Sequence, residues 1–542
     1  MQTTRKPARK IKEESKVNKP LKAAEAPVPT GYDAVPYPSD AFPQTDPRRL
    51  ACIARLFGLD PAKTANARIL ELGCAGGGNL LPLAARLPGA TLTGIDASSR
   101  QIAEAQRLAE ACGLKNVTLA YGDIVQIGPE LGQFDYIICH GVYSWVPPPV
   151  QDAILKVCAQ NLAENGIAYV SYNTYPGWKT REIVRDAMLF HTRDDPYDLA
   201  KLSRGRGMLE FMQNTNAFGE IFGKLFQQQR EFVAGATPAY VMHDFLEPNN
   251  LPCYFHEFDA RAKAHDLAYL TDADTFTTFS ENYGAAAREA LIAETGGNQT
   301  MIEQYLDFCS NRSFRQSLLI KSGQAGKIKR QIDTQALMQM HLRGMFVNIA
   351  GDRADEAAAL TMTTRRGANV HAAPPFVKAA LLALADAQPA TLTFPQWLAA
   401  TDKALGAHES HKTMLLELTT RMVIAGHIDL VDEAIAPGAG NVEMPKADPF
   451  LRHQSASGAY SLASMHHETI RLDVVETALL PRLDGASTHA DLLAHLLQSV
   501  KDGQIVFQRE GKPLEDEAAI EAAALEHLAA SLRSLHAKSA LV

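Results

Sequence analysis

The stretch Arg68-Ile-Leu-Glu-Leu-Gly-Cys-Ala-Gly-Gly-Gly-Asn79 constrains the fold more than any other part of the chain. Ile69, Leu70 and Leu72 surround a single acid, Glu71. So short an apolar run suits a central parallel strand covered on both faces. The glycines that follow let the backbone turn sharply and approach a ligand with no Cβ in the way. A helix is predicted from near Gly77 through Leu80–Leu87, its free N–H groups facing whatever the loop holds. Glycine-rich turns are common, so the weight of the reading falls on what comes next.

Four further strands follow in alternation with helices. Thr91–Asp96 ends in a carboxylate, and Ser98 is placed to cap a helix that runs to about Cys112 and stops at Gly113. Val117–Tyr121 and Phe134–Cys139 are the third and fourth strands; a helix from about Pro149 to Leu162 leads to a fifth, Ile167–Ser171. Such alternation implies a doubly wound parallel α/β sheet, which binds ligands outside the carboxyl ends of its strands. Asp96, Asp123 and the loops opening at His140 and Tyr172 all lie at such ends. Asp96 can accept two hydrogen bonds from the vicinal hydroxyls of a ribose, and Asp123 one from an adenine amine.

A dinucleotide enzyme would show G-x-G-x-x-G, which Gly73, Gly76, Gly77 and Gly78 do not match. The phrase L-E-L-G-C-x-G-G-G, with an acid ending the second strand, instead resembles the class I S-adenosylmethionine-dependent methyltransferases. Their pattern is an acid and three alternating glycines; here it reads Glu71, Gly73, Ala75 and Gly77, so the middle glycine is replaced. A narrower resemblance lies in His140-Gly-Val-Tyr-Ser-Trp-Val-Pro147, Tyr172-Asn-Thr-Tyr-Pro-Gly-Trp178, Tyr240–Glu247 with Tyr254–Phe258, and Glu303–Phe308 with Arg312–Leu318. These are similar to bacterial methyltransferases carrying a methyltransferase regulatory domain. That group includes rickettsial protein-lysine methyltransferases acting on outer-membrane proteins. The resemblance implies a Rossmann-like fold over about residues 31–321 and S-adenosyl-L-methionine as cofactor. It puts cofactor contacts at Tyr37, Glu71, Gly73, Cys74, Ala75, Gly77, Asp96, Ala97, Asp123, Ile124 and His140. It also makes a protein lysine, of an envelope or outer-membrane protein, the leading substrate.

Methyl transfer from a sulfonium needs little acid–base machinery, because the leaving group is already good. The protein must align a nucleophile and desolvate it. A lysine amine must also lose its proton from a solution pKa of about 10.4. Tyr143, Trp145, Tyr175 and Trp178 are therefore expected as pocket walls, with Asn173 and Ser144 as acceptors. The prolines of Pro147-Pro-Pro149 and Pro176-Gly177 place both clusters in loops. The competing readings are a small-molecule acceptor, with the later modules regulatory or oligomeric, and a non-catalytic binding protein whose Ala75 marks a decayed loop.

At 542 residues the chain is too long for one core. Residues 1–30 read as a basic, disordered leader. In the segment that follows, Tyr32 and Tyr37 either pack on the sheet edge or close over the loop. A helical insertion, 180–250, interrupts the methyltransferase sheet, which Phe255–Asp266, Leu267–Leu270 and Phe314–Ile320 then complete. That insertion reads as either a lid or a dimerisation arm, and the resemblance to the rickettsial enzymes favours the arm. Residues 322–440 and 441–542 read as two mostly α, winged-helix-like modules. A net charge of −8, with Glu515, Asp516, Glu517, Glu521 and Glu526 on the final helix, argues for protein recognition and against nucleic acid. Seven scattered cysteines fit a cytoplasmic protein, and no apolar run is long enough to insert in a membrane. His408, His411, His453, His466, His467, His489 and His495 show no zinc spacing and are expected to be solvated, with no metal bound.

Overall fold

The computed structural model describes residues 39–215, 219–355, 358–459 and 461–542. The basic leader, Tyr32, Tyr37 and Phe218 lie outside them. The first helix, α1 (Pro47–Leu56), starts at Asp46, whose side chain accepts the Arg48 N–H. Then come β1 (Arg68–Leu72), α2 (Leu80–Arg86), β2 (Thr91–Asp96), α3 (Ser99–Ala111), β3 (Val117–Tyr121), β4 (Phe134–Cys139), α4 (Pro148–Asn161) and β5 (Leu162–Asn173). Ser98 caps α3 as expected, accepting the Gln101 N–H.

Four helices follow β5: α5 (Lys179–His191), α6 (Leu199–Asn214), α7 (Glu220–Gly235) and α8 (Pro238–Phe245). They form a satellite cluster around Met188, Leu209, Phe226, Met242 and Phe245. The sheet then resumes with α9 (Phe255–Ala264), β6 (Leu267–Asp272), α10 (Ala285–Thr295), α11 (Gln299–Ser310) and β7 (Phe314–Lys321). Its order is β3-β2-β1-β4-β5-β7-β6. β1 to β5 run parallel, and β7 lies antiparallel between β5 and β6, pairing Ala168 with Leu319. The expected doubly wound sheet with a helical insertion is present. The fifth strand is longer than predicted, because α4 stops at Asn161 and the chain turns directly into pairing.

The Glu303–Phe308 and Arg312–Leu318 phrases meet in a buried ion cluster. Arg315 is wholly enclosed and pairs with Glu303 at 2.9 Å and Asp307 at 2.8 Å. This cluster fastens α11 onto β7.

The middle region holds α12 (Thr334–Leu337), β8 (His341–Gly344), β9 (Phe346–Ala350), β10 (Leu360–Thr364), β11 (Asn369–Ala372), α13 (Pro375–Asp386), β12 (Leu392–Thr393), α14 (Phe394–Leu405), α15 (His411–Ile424) and β13 (Ile428–Val431). The helices fit a mostly α module, whereas strands β8 to β11 had no sequence signal. The last region holds α16 (Pro449–Ala456), β14 (Leu462–Ala463), β15 (Thr469–Ile470), α17 (Val474–Leu479), α18 (His489–Lys501), the hairpin β16 (Gln508–Arg509) and β17 (Lys512–Pro513), and α19 (Glu517–Ala537). His466 and His467 contradict the expectation of solvated histidines: both are buried, at 4% and 0% exposure. The β14–β15 hairpin that carries them is pressed onto the sheet domain. Among the described residues no helix is long and apolar enough to cross a membrane.

Candidate active site

The carboxyl ends of β1, β2 and β4 meet over the glycine loop. Gly73, Ala75 and Gly77 all have positive φ, at 74°, 47° and 79°. Ala75 therefore adopts the backbone that the missing glycine would have taken, at a cost of about 1–2 kcal/mol. Asp96 holds it there: one carboxylate oxygen accepts the Ala75 N–H at 2.8 Å, and the other accepts the Ser98 N–H at 2.8 Å. Segment 39–46 lies across the loop's far side, where the Gly78 N–H donates to Ser39 Oγ at 2.7 Å. A Cβ on Gly78 would sit 1.8 Å from the Ser39 carbonyl oxygen, so only glycine fits.

Glu71 is 3% exposed. Its Oε1 accepts from Asn79 Nδ2 at 2.8 Å, and its Oε2 is buried with no protein partner. Burial pushes its pKa up to about 8; the Asn79 hydrogen bond opposes this and the nearby Asp96 charge adds to it. Cys74 is buried beside it, its thiol pushed up by burial. Ala97 is exposed at the β2 end. Asp123 is exposed and accepts the Val125 N–H at 3.0 Å, opening a short turn in which Ile124 is half-buried. His140 packs against Phe42, ring centroids 4.1 Å apart, with its Nδ1 2.9 Å from the Tyr169 hydroxyl. Burial brings its pKa down to about 4, so the ring is neutral.

The loops after β4 and β5 knit together on the other side. The Asn173 N–H donates to Ser144 Oγ at 2.9 Å, and its Nδ2 donates to Asn250 Oδ1 at 3.0 Å. Trp145 meets Trp178 edge to face, centroids 6.0 Å apart, and the Arg181 guanidinium lies 5.1 Å from the Trp178 ring. The Tyr175 hydroxyl donates to Glu182 Oε1 at 2.6 Å, and Lys179 Nζ lies 5.2 Å from the Tyr175 ring.

The pocket-wall expectation divides here. Trp145 and Tyr175 are half-buried and present surface, whereas Asn173 and Trp178 are 3% and 2% exposed and brace the loops from beneath. Tyr143 is a correction. It is 0% exposed and packs edge-on against Phe258 at 5.3 Å, in the core with Tyr172. Burial lifts its phenol to about 12. Ser144, expected as an acceptor, is 1% exposed and accepts the Asn173 N–H.

Three family models match the chain: a methyltransferase domain over residues 69–166, a predicted methyltransferase regulatory domain over 237–321, and the PKMT C-terminal winged helix domain over 443–541. The uncharacterized protein RP789 of Rickettsia prowazekii (strain Madrid E) is 32% identical over 498 residues, 90% of this chain and 89% of its own length. The uncharacterized protein RP028 of the same organism is 37% identical over 240 residues, 44% of this chain and 96% of its own length. The structure of PKMT2 from Rickettsia typhi in complex with AdoHcy (S-adenosylhomocysteine) aligns with a TM-score of 0.83 at 28% identity, covering 93% of this chain and 100% of that one. A second structure of PKMT2 from Rickettsia typhi gives a TM-score of 0.84 at 27% identity, with the same coverage.

The chain belongs to the S-adenosylmethionine-dependent methyltransferases with a regulatory domain.

The residues of this methyltransferase fit its cofactor. Glu71 Oε2, buried and without a partner among the described residues, is an acceptor that the cofactor's ammonium group would satisfy. Asp96, whose oxygens accept the Ala75 and Ser98 N–H groups, stands at the β2 end where a carboxylate would accept ribose hydroxyls. Bound there, S-adenosylmethionine supplies an electrophilic methyl group on a positively charged sulfur. The chain's own work is to seat it, exclude water and present the acceptor. Sequence reasoning missed four residues of this methyltransferase's cofactor side: Ser39, Phe42, Asn79 and His467. Asn79 follows the last glycine directly, the one local signal for any of them.

Proposed function

We propose that this methyltransferase modifies the ε-amines of lysine side chains in a protein substrate. The observation that carries the reading is the full-length likeness to PKMT2, which includes the C-terminal winged helix as well as the methyltransferase sheet. The chemistry of the second loop pair agrees with it. Trp145 and Tyr175 offer aromatic surface that desolvates an aliphatic amine, and Glu182 beside Tyr175 offers a charge to steer it. Asp244, pushed up to about 7 by burial against the pull of Arg181, titrates where a departing amine proton could be received. The resemblance makes an envelope or outer-membrane protein, met in the bacterial cytoplasm before export, the first substrate to test. The seven free cysteines suit that reducing compartment.

Tritiated S-adenosylmethionine added with the enzyme to bacterial lysate should label protein bands, and peptide mass spectrometry should find methyllysine. Label confined to small solutes would favour a small-molecule acceptor instead. Asp96→Ala should weaken AdoHcy binding, while Trp145→Ala should spare it and lower kcat. We also propose that the helical insertion makes a homodimer. Its α6 and α7 leave Leu199, Phe211 and Ile221 between 62% and 87% exposed, an apolar face suited to a second copy. Sedimentation of Ile221→Glu against the parent chain tests this; unchanged mass would discard the arm as the interface.

A further inference from the structure

The C-terminal module reaches the cofactor loop through one side chain. His467 sits in the turn joining β14 to β15, 0% exposed, with φ 58°. A non-glycine residue keeps such a backbone only where its surroundings dictate it. Those surroundings are specific. The Thr469 hydroxyl donates to the Ala41 carbonyl at 2.9 Å, and Arg48 Nη2 donates to the Met465 carbonyl at 3.0 Å, so the turn is fastened to segment 39–48 on both flanks.

The imidazole Nε2 lies 2.8 Å from Asn79 Oδ1. An amide oxygen only accepts, so Nε2 carries the proton. Burial brings the ring's pKa down to about 3, which keeps it neutral. The same Oδ1 also accepts the Phe42 N–H at 3.0 Å and the Thr45 hydroxyl at 2.9 Å. Two fixed N–H donors on one side of the amide leave its NH₂ only one orientation, toward Glu71, where Nδ2 donates to Oε1 at 2.8 Å. That hydrogen bond occupies Oε1 and leaves Oε2 of Glu71 buried without a partner among the described residues.

We propose that His467 is a positioning residue of the cofactor site: through Asn79 it fixes the carboxyl of Glu71, so the C-terminal module is a working part of cofactor binding. The inference rests on the cofactor site and not on lysine as the acceptor; it stands if the acceptor proves to be a small molecule.

The test uses the full chain. His467→Phe keeps the ring and loses the donor, whereas His467→Gln keeps an N–H of similar reach. AdoHcy affinity by calorimetry should fall about tenfold in His467→Phe, the equivalent of ~1.4 kcal/mol, and His467→Gln should restore most of it. KM for the methyl donor should rise with it, while kcat at saturating donor stays within about twofold, since no chemistry is removed. Asn79→Ala should weaken binding, and adding His467→Phe to it should cost nothing more, because both break one relay. The midpoint of the affinity–pH profile should also move upward in His467→Phe, since Glu71 loses a stabilised donor. A His467→Phe chain that binds AdoHcy like the parent while melting earlier would reduce the residue to packing. Multiplying losses in the double variant would overturn the relay. Should His467→Phe fail to fold, nitrogen-15 spectra of the parent decide. The Nε2–H form with a resonance shift on AdoHcy addition supports the relay, and an unmoved resonance refutes it.

Discussion

Replacing Glu71 by glutamine should separate the cost of burying this acid from its use. The variant keeps an oxygen for Asn79 Nδ2 and removes the charge. In the folded chain the carboxyl titrates at about 8 against an ordinary 4.5, chiefly through burial. Between those values the native state holds a proton that the unfolded chain has released. Stability therefore falls as pH rises through the window, by about 1.4 kcal/mol per unit. The loss reaches about 3 kcal/mol at pH 7 and levels off at about 4–5 kcal/mol above pH 8. Glu71→Gln lacks this loss. Urea denaturation from pH 5 to 9 should show the variant's advantage over the parent opening from near zero to that full value. Cofactor binding should run the other way. The parent ionises Glu71 to meet the ligand's ammonium group, so at pH 7 it should release close to one proton per AdoHcy bound. Calorimetry in two buffers of different ionisation heat counts that proton. The variant should release none and bind more weakly. Stability curves that stay parallel across the whole range, or equal proton release from both chains, would refute the placement of Glu71 at the cofactor.

Ala75→Gly should raise stability by about 0.5–1 kcal/mol, because relief of the left-handed alanine exceeds glycine's greater unfolded-chain entropy; thermal melting checks the sign. Gly78→Ala should push segment 39–46 off the loop and weaken AdoHcy binding at least tenfold. Gly76→Ala, whose Cβ would meet only Ser39 at 3.5 Å, should be nearly silent in the same titration. Arg315→Met should destabilise the chain by about 3–5 kcal/mol in denaturant at pH 7, since it strands the Glu303 and Asp307 carboxylates. The deficit should shrink as pH falls, because burial already pushes the Asp307 carboxyl above its ordinary range.

The sheet was legible because its signals are local. An apolar run, a glycine or carboxylate at its end and a capped helix recur within about 25 residues, so Asp96 and the glycine loop could be read as parts of one site, though not the bond between Asp96 and Ala75. Strands β9 to β11 were not legible. Stretches such as Leu360-Thr-Met-Thr-Thr364 are half polar, and they become strands only by pairing with one another. Tyr143 looked like a pocket wall because it stands among loop prolines. Which way its ring turns is decided by Phe258, 115 residues later. The partnership of Asn79 and His467 spans 388 positions. No periodicity announces it, and a histidine in a polar stretch reads as solvated until the surface that covers it is known.

The place of β7 in the sheet has a consequence for the order in which the protein can be made. β5 ends at Asn173, and the strand that completes its hydrogen bonding begins at Phe314, about 140 residues further on. At roughly 5–20 residues per second, a ribosome needs some 7–30 seconds to supply it. Throughout that interval the growing chain carries a long, apolar strand edge, the kind that seeks other chains. The insertion helices emerge first and can shelter that edge without closing it. A fragment cut after residue 166, the span of the methyltransferase family model, would keep the glycine loop but lose most of β5 along with its seal, leaving β4 as an open edge. Such a fragment should aggregate during synthesis, so what looks like the catalytic half matures only as part of the longer chain.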